Sequence, residues 1–135
     1  MARAFLDTNV LVYAFADDPR ATVAERLLAE GNDVSVQVLN EFANVARRKL
    51  GFDWRQVRDG LASIRALARA IHPVDLKTHT HALWLAERYG LSVYDALIVA
   101  AALQARCDLL YSEDMQNGME IEGGLCIRNP FTNQA

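Results

Sequence analysis

The chain reads as an α/β protein with a central, mainly parallel sheet. Three observations predict this. Short apolar runs bounded by turn residues alternate along the chain with longer segments of helical periodicity. One of those helical segments, from Ser92 onward, is apolar nearly all round, as a helix covered on every side must be. There is also no repeat, low-complexity stretch or Pro/Gly-rich linker, so residues 1–135 are expected to form one domain, a size that supports a real core.

In order, Ala4 to Leu6 begins a short buried strand closed by Asp7. Pro19 opens a helix running to about Glu30, with Gly31-Asn32 as its stop. Val34 to Val36 is a second strand, and a helix follows from about Gln37 to Leu50, ended by Gly51. Phe52-Asp53 leads into a helix from Trp54 to about Ala70. Ile71 to Val74 is a third strand, which Pro73 assigns to an edge. A helix from Leu76 to Tyr89 stops at Gly90, and the apolar helix runs from Ser92 to about Arg106. Cys107 to Tyr111 and Leu125 to Arg128 are the last strands. Crossovers between parallel strands should be right-handed.

Composition narrows the function classes. The chain is 52 % hydrophobic and 23 % charged, a soluble globular balance without an apolar run of spanning length. Its first residues make a poor signal peptide, so a cytoplasmic protein with no membrane association is expected. Cys107 and Cys126 are too few for a disulfide framework and lack metal-ligand spacing, so they read as small buried hydrophobes. No GxGxxG or P-loop occurs, and Ser35, Ser63 and Ser92 lack a nucleophile-elbow context. His72, His79 and His81 read as surface or structural residues. The formal net charge is −3, yet between Asn44 and His72 seven cations face two anions. That local excess, mostly arginine, suits an anionic partner, nucleic acid or an acidic protein.

Topology sorts the acids. In a parallel sheet each strand ends, and each following helix begins, at the carboxyl edge where ligands bind. Asp7 lies just past the first strand and Asp114 just past the strand ending at Tyr111. Asp95 is in the first turn of the Ser92 helix, and Glu41 is early in the helix after the second strand. At about 100° per residue Glu41 falls at the margin of the apolar arc made by Val38, Phe42, Val45 and Ala46, on the side shared with Gln37, Asn44 and Arg48. Each acid has a structural alternative. Asp7 suits a turn or cap, Asp95 a capping box with Ser92, Glu41 the helix dipole and Asp114 a turn. Together, four carboxylates at one edge repel one another, and a hard cation relieves the cost; oxygen-only ligation points to Mg²⁺, with Mn²⁺ as a substitute.

These residues resemble a known family. Phe5-Leu6-Asp7-Thr8-Asn9-Val10-Leu11-Val12-Tyr13 resembles the first motif of PIN-domain ribonucleases. Val38-Leu39-Asn40-Glu41-Phe42 is similar to the second, Ser92-Val93-Tyr94-Asp95-Ala96-Leu97-Ile98 to the third, and Leu110-Tyr111-Ser112-Glu113-Asp114-Met115 to the fourth. Order, spacing and length together resemble the VapC toxins of bacterial toxin–antitoxin pairs. The resemblance implies a three-layer α/β/α fold and a Mg²⁺-dependent endoribonuclease acting on a structured RNA such as tRNA. It implies a catalytic set of Asp7, Glu41, Asp95 and Asp114, with Asp7, Asp95 and Asp114 as metal ligands. Thr8, Asn9 and Ser112 match the family's polar supports, and Arg47, Arg48 and Lys49 are candidates to carry the RNA backbone. It further implies a VapB-type antitoxin partner, a homodimer, and operator DNA reached only through the antitoxin. Dimer contacts are expected among the helices between Trp54 and Tyr89. Where some members carry a further acid, this chain has Gln116 and Asn117.

Two other classes compete. An aspartate-based phosphotransferase also uses an Asp after the first strand, but it usually has a second Asp two residues on, where this chain has Asn9, and a later Lys. A non-catalytic protein-binding module on the same fold would need none of the four acids.

Overall fold

The computed structural model describes residues 3–132. Six strands form one sheet: β1 (Ala4–Leu6), β2 (Asp33–Ser35), β3 (Ala70–His72), β4 (Leu109–Tyr111), β5 (Glu120–Ile121) and β6 (Leu125–Arg128). Their spatial order is β3-β2-β1-β4-β6-β5. Every pair is parallel except the terminal β5–β6 pair. Six helices cover the sheet: α1 (Thr8–Ala14), α2 (Ala21–Ala29), α3 (Val36–Arg48), α4 (Trp54–Leu67), α5 (Leu76–Tyr89) and α6 (Val93–Gln104). α1 packs on α2 and α3, and α5 lies along α6. The result is the expected three-layer α/β/α arrangement.

The core follows from burial of the strand and helix faces turned to the sheet. Phe5, Leu6, Val34, Phe42, Ile98, Leu110 and Ile127 are fully buried, each stabilising the fold by about 1.5–3 kcal/mol relative to exposure. α6 has no polar stripe and buries every residue from Ala96 to Ala102, as its composition predicts. Gly60 sets how closely α4 approaches α3, because a Cβ there would stand 3.2 Å from Phe42 Cζ. Gly90 ends α5 in the left-handed conformation expected of a C-terminal stop. Among the described residues no helix is long and apolar enough to cross a membrane.

Several boundaries differ from the sequence reading. α1 is absent from the sequence reading, although of the two structural roles open to Asp7, turn or cap, it takes the cap, on a short helix that buries Val10 and Leu11. α2 begins at Ala21 because Pro19 sits in a turn whose Asp18 carbonyl accepts from Ala21 N. Ser35 ends β2 and caps α3, accepting from Val38 N, so Val36 is helical. Ala68 breaks α4 early, because Ala70 is needed in the sheet opposite Asp33. β3 therefore ends at His72, before Pro73, and it is an edge strand as Pro73 implied. α6 stops at Gln104, and β4 begins only at Leu109. β5 escaped notice because two residues carry no periodicity. Cys107 is buried and Cys126 half-buried, and both are free.

Candidate active site

Asp7 leaves β1 at the carboxyl edge and becomes the N-cap of α1, its Oδ1 accepting from Thr8 N at 2.6 Å. Its Oδ2 accepts from Ser112 Oγ at 2.7 Å, and Ser112 in turn accepts from Met115 N. Ser112 is fully buried just past β4, so it ties the two central strand ends together. Thr8 turns its hydroxyl to Glu41 Oε1 at 2.7 Å, while Gln37, one turn earlier on α3, donates to Glu41 Oε2 at 2.8 Å. Both Glu41 oxygens are thereby fixed. Asp95 occupies the first turn of α6, its backbone amide held by Ser92 Oγ at 3.1 Å. Asp114 is exposed beyond β4.

All four acids line one cleft of about 270 Å³, with Asn9, Tyr13, Val45 and Lys49 among its walls. The topological sorting thus places the acids together, and the rim position of Glu41 beside Val45 is the geometry its helical phase required. Ser112 sits beneath Asp7 as a support, and Thr8 bridges Asp7 and Glu41. Asn9 Oδ1 accepts from Glu113 N at 3.2 Å, and its buried Nδ2 has no partner among the described residues. Gln116 and Asn117 add no acid to the cleft; Asn117 braces a loop through Asn129 N.

Burial controls the electrostatics. Asp7 is 3 % exposed, and desolvation pushes its pKa from 3.8 up to about 7; the Ser112 and Thr8 hydrogen bonds oppose this, and the charges of Asp95 and Glu41 add to it. Asp95 is likewise raised, first by burial and then by Glu41 and Asp114. Among the described residues, no three His, Cys, Asp or Glu side chains already converge on a single coordination sphere. The donor set still fits Mg²⁺, which takes one or two carboxylates directly and keeps several waters.

Of the three basic candidates, Lys49 caps the end of α3 and reaches the acid cleft, whereas Arg47 is committed elsewhere. Arg47 donates to the Phe52 carbonyl at 3.1 Å and stacks 4.5 Å from the Trp54 ring centre, so it is a poorer candidate for RNA than Arg48 or Lys49. Tyr13 donates to Glu113 Oε1 at 2.5 Å, and Arg20 binds the other Glu113 oxygen at 2.8 Å while lying 4.1 Å over the Tyr13 ring. Partial burial and Glu113 push the Tyr13 pKa up to about 12, keeping it a donor. The only sequence signal for this wall was the one-turn spacing of Asn9 and Tyr13 on α1, and α1 itself was unread.

Comparison with known proteins bears on the family and the fold. The profile of the PIN domain family matches residues 4–116. No curated protein matches the chain by sequence. Among solved structures, Mycobacterium tuberculosis VapC20, described as a sarcin-ricin loop cleaving toxin, is 24 % identical with a TM-score of 0.67, covering 82 % of this chain and 89 % of its own. A toxin–antitoxin complex from Klebsiella pneumoniae is 21 % identical with a TM-score of 0.72, covering 95 % and 98 %. VapBC2 from Rickettsia felis, bound to a DNA fragment from its promoter, is 21 % identical with a TM-score of 0.68, covering 93 % and 97 %.

Proposed function

The chain belongs to the PIN domain family, and on that premise we propose that it is a Mg²⁺-dependent endoribonuclease, the toxin of a VapBC-type pair. The observation that carries the reading is Asp7: a buried carboxylate with only neutral hydrogen-bond donors, facing three further acids across one cleft.

Asp7 and Asp95 would hold the metal most directly, with Asp114 assisting. Mg²⁺, when bound, offsets the repulsion among the carboxylates, lowers the pKa of a bound water and neutralises phosphate charge. The chain's own residues do the rest. Thr8 and Ser112 hold both Asp7 oxygens in one orientation, so the ligand needs little reorganisation. Glu41, whose oxygens are held by Thr8 and Gln37, or Asp114 would orient the attacking water and accept its proton. Lys49 at the cleft wall, and Arg48 beyond it, supply phosphate contacts that make RNA binding salt-dependent. Asn9 Nδ2 is a donor left over at the same wall.

The substrate is a structured RNA such as tRNA, met in the cytoplasm. A VapB-type antitoxin would silence the enzyme by laying a basic side chain against the carboxylates, and it would make the operator DNA contacts. A homodimer would cover the exposed Leu76, Leu83 and Trp84 of α5, the last two half-exposed and Leu76 78 % exposed.

Purified Asp7→Asn and Asp95→Asn are expected to lose Mg²⁺-dependent RNA cleavage while keeping the wild-type circular dichroism. Cleavage at the wild-type rate by both variants would overturn the assignment.

A further inference from the structure

α6 is the most buried helix of the molecule, yet its first turn leaves Val93 43 % and Tyr94 65 % exposed. The helix needs neither side chain for packing. Tyr94 precedes Asp95 and forms one wall of a depression of about 480 Å³. The opposite wall is α3, which contributes Asn40, Asn44 and Arg48, all exposed. Glu41 and Val45 line both this depression and the acid cleft, so the two are continuous. Beyond it, Asn44 and Arg48 also border the hollow where Arg47 stacks on Trp54. The side chains facing this depression are therefore an aromatic ring, amides that both donate and accept, an arginine and, where it meets the acid cleft, Glu41 and Val45.

That combination matches a nucleotide. An aromatic ring accepts the face of any base, amides suit base edges, and a guanidinium suits a phosphate. We propose that the depression is a base subsite: an unpaired nucleotide next to the cleaved phosphate stacks on Tyr94, with its own phosphate on Arg48. The inference rests on the nuclease reading and sharpens it, because a stacked duplex cannot present a base face. The substrate is then RNA in a single strand or loop. Arg48 and the amides of Gln37, Asn40 and Asn44 give the depression a polar lining that suits a nucleotide better than an apolar protein surface.

The test uses a synthetic RNA hairpin with 2-aminopurine in its loop, and a second with the probe in its stem. Binding is followed on the Asp7→Asn chain, and cleavage of the unlabelled hairpin on the chain with Asp7 intact. The loop probe is expected to quench on binding and the stem probe to stay unchanged. Adding Tyr94→Ala should abolish the quench and weaken binding about tenfold, while Tyr94→Phe keeps both. Unchanged quenching and affinity in Tyr94→Ala, or equal quenching in the stem, overturns the subsite. Loss of self-association with intact RNA binding in Tyr94→Ala overturns it in favour of a protein contact. Cleavage by the wild type alongside unchanged quenching and affinity in Tyr94→Ala refutes the subsite alone. Tyr94-dependent quenching without any cleavage supports the subsite and refutes the nuclease.

Discussion

Asp33 and Asp7 stand at opposite edges of the same sheet, and both are buried. Asp33, at the amino edge, is fully enclosed, but Arg3 reaches it through Nε and Nη2 at 3.0 and 2.9 Å, and His72 Nε2 lies 2.9 Å from the same oxygen. Cys107 Sγ lies 3.8 Å away, and burial beside Asp33 pushes that thiol up to about 12, so it remains an inert thiol. Asp7, at the carboxyl edge, has a backbone amide and a hydroxyl as its partners, and acids as its charged neighbours. Burial of a carboxylate is thus common to structure and function in this chain. What separates them is the counter-charge: the chain supplies one to Asp33, whereas the charged groups that act on Asp7 are acids.

The largest expected effect sharpens that contrast through pH. Asp7 keeps its proton in the folded chain up to about 7, whereas in the unfolded chain it loses it near 3.8. Between those values the folded state binds the extra proton, so stability falls as pH rises and the full cost is present above about 7. A shift of that size corresponds to about 4 kcal/mol. Urea unfolding in a chelator, compared between wild type and Asp7→Asn across pH 4 to 8, should show the variant relatively more stable as pH rises. A constant difference would break the comparison.

Arg3→Ala addresses the other edge. It leaves Asp33 buried without its guanidinium and should destabilise the fold by about 3 kcal/mol, since breaking a buried pair exposes the cost of the remaining charge. The unfolding midpoint at pH 7 reads this directly, and Mg²⁺ should leave the difference from wild type unchanged. A smaller effect is expected from Ser112→Ala, which removes the hydroxyl donor to Asp7 Oδ2 and costs about 2 kcal/mol with Asp7 ionised. The Asp7 titration, followed by carboxyl carbon NMR, should move further up, because Ser112 holds it down.

The sequence made one of these two carboxylates legible. Asp7, Asp95, Asp114 and Glu41 each sit next to a strand end or helix start, so the alternation of elements was enough to gather them at one edge. Asp33 had no such signal. Its partners Arg3, His72 and Cys107 are separated from it by 30, 39 and 74 positions, and only the strand order β3-β2-β1-β4 makes them neighbours. The same limit applies to the cleft walls: Lys49 is legible as a candidate RNA contact and Tyr13 as part of the first motif, but their place beside the acids depends on where α3 ends against α1. The helix that Asp7 caps is not legible, since a seven-residue segment with Val10 and Val12 has weak local helix preference and forms because Val10 and Leu11 are buried. The helix boundaries moved by a few residues wherever a strand claimed the residue, as Ala70 shows.

The central claim is that Asp7 belongs to a cation site that the chain leaves uncompensated. The most direct test is the unfolding midpoint at pH 8 with chelator and then with Mg²⁺, for wild type, Asp7→Asn and Arg3→Ala. Wild type and Arg3→Ala should both gain stability with Mg²⁺, and Asp7→Asn should gain little. An equal Mg²⁺ response in wild type and Asp7→Asn, or no response in wild type, would contradict the account.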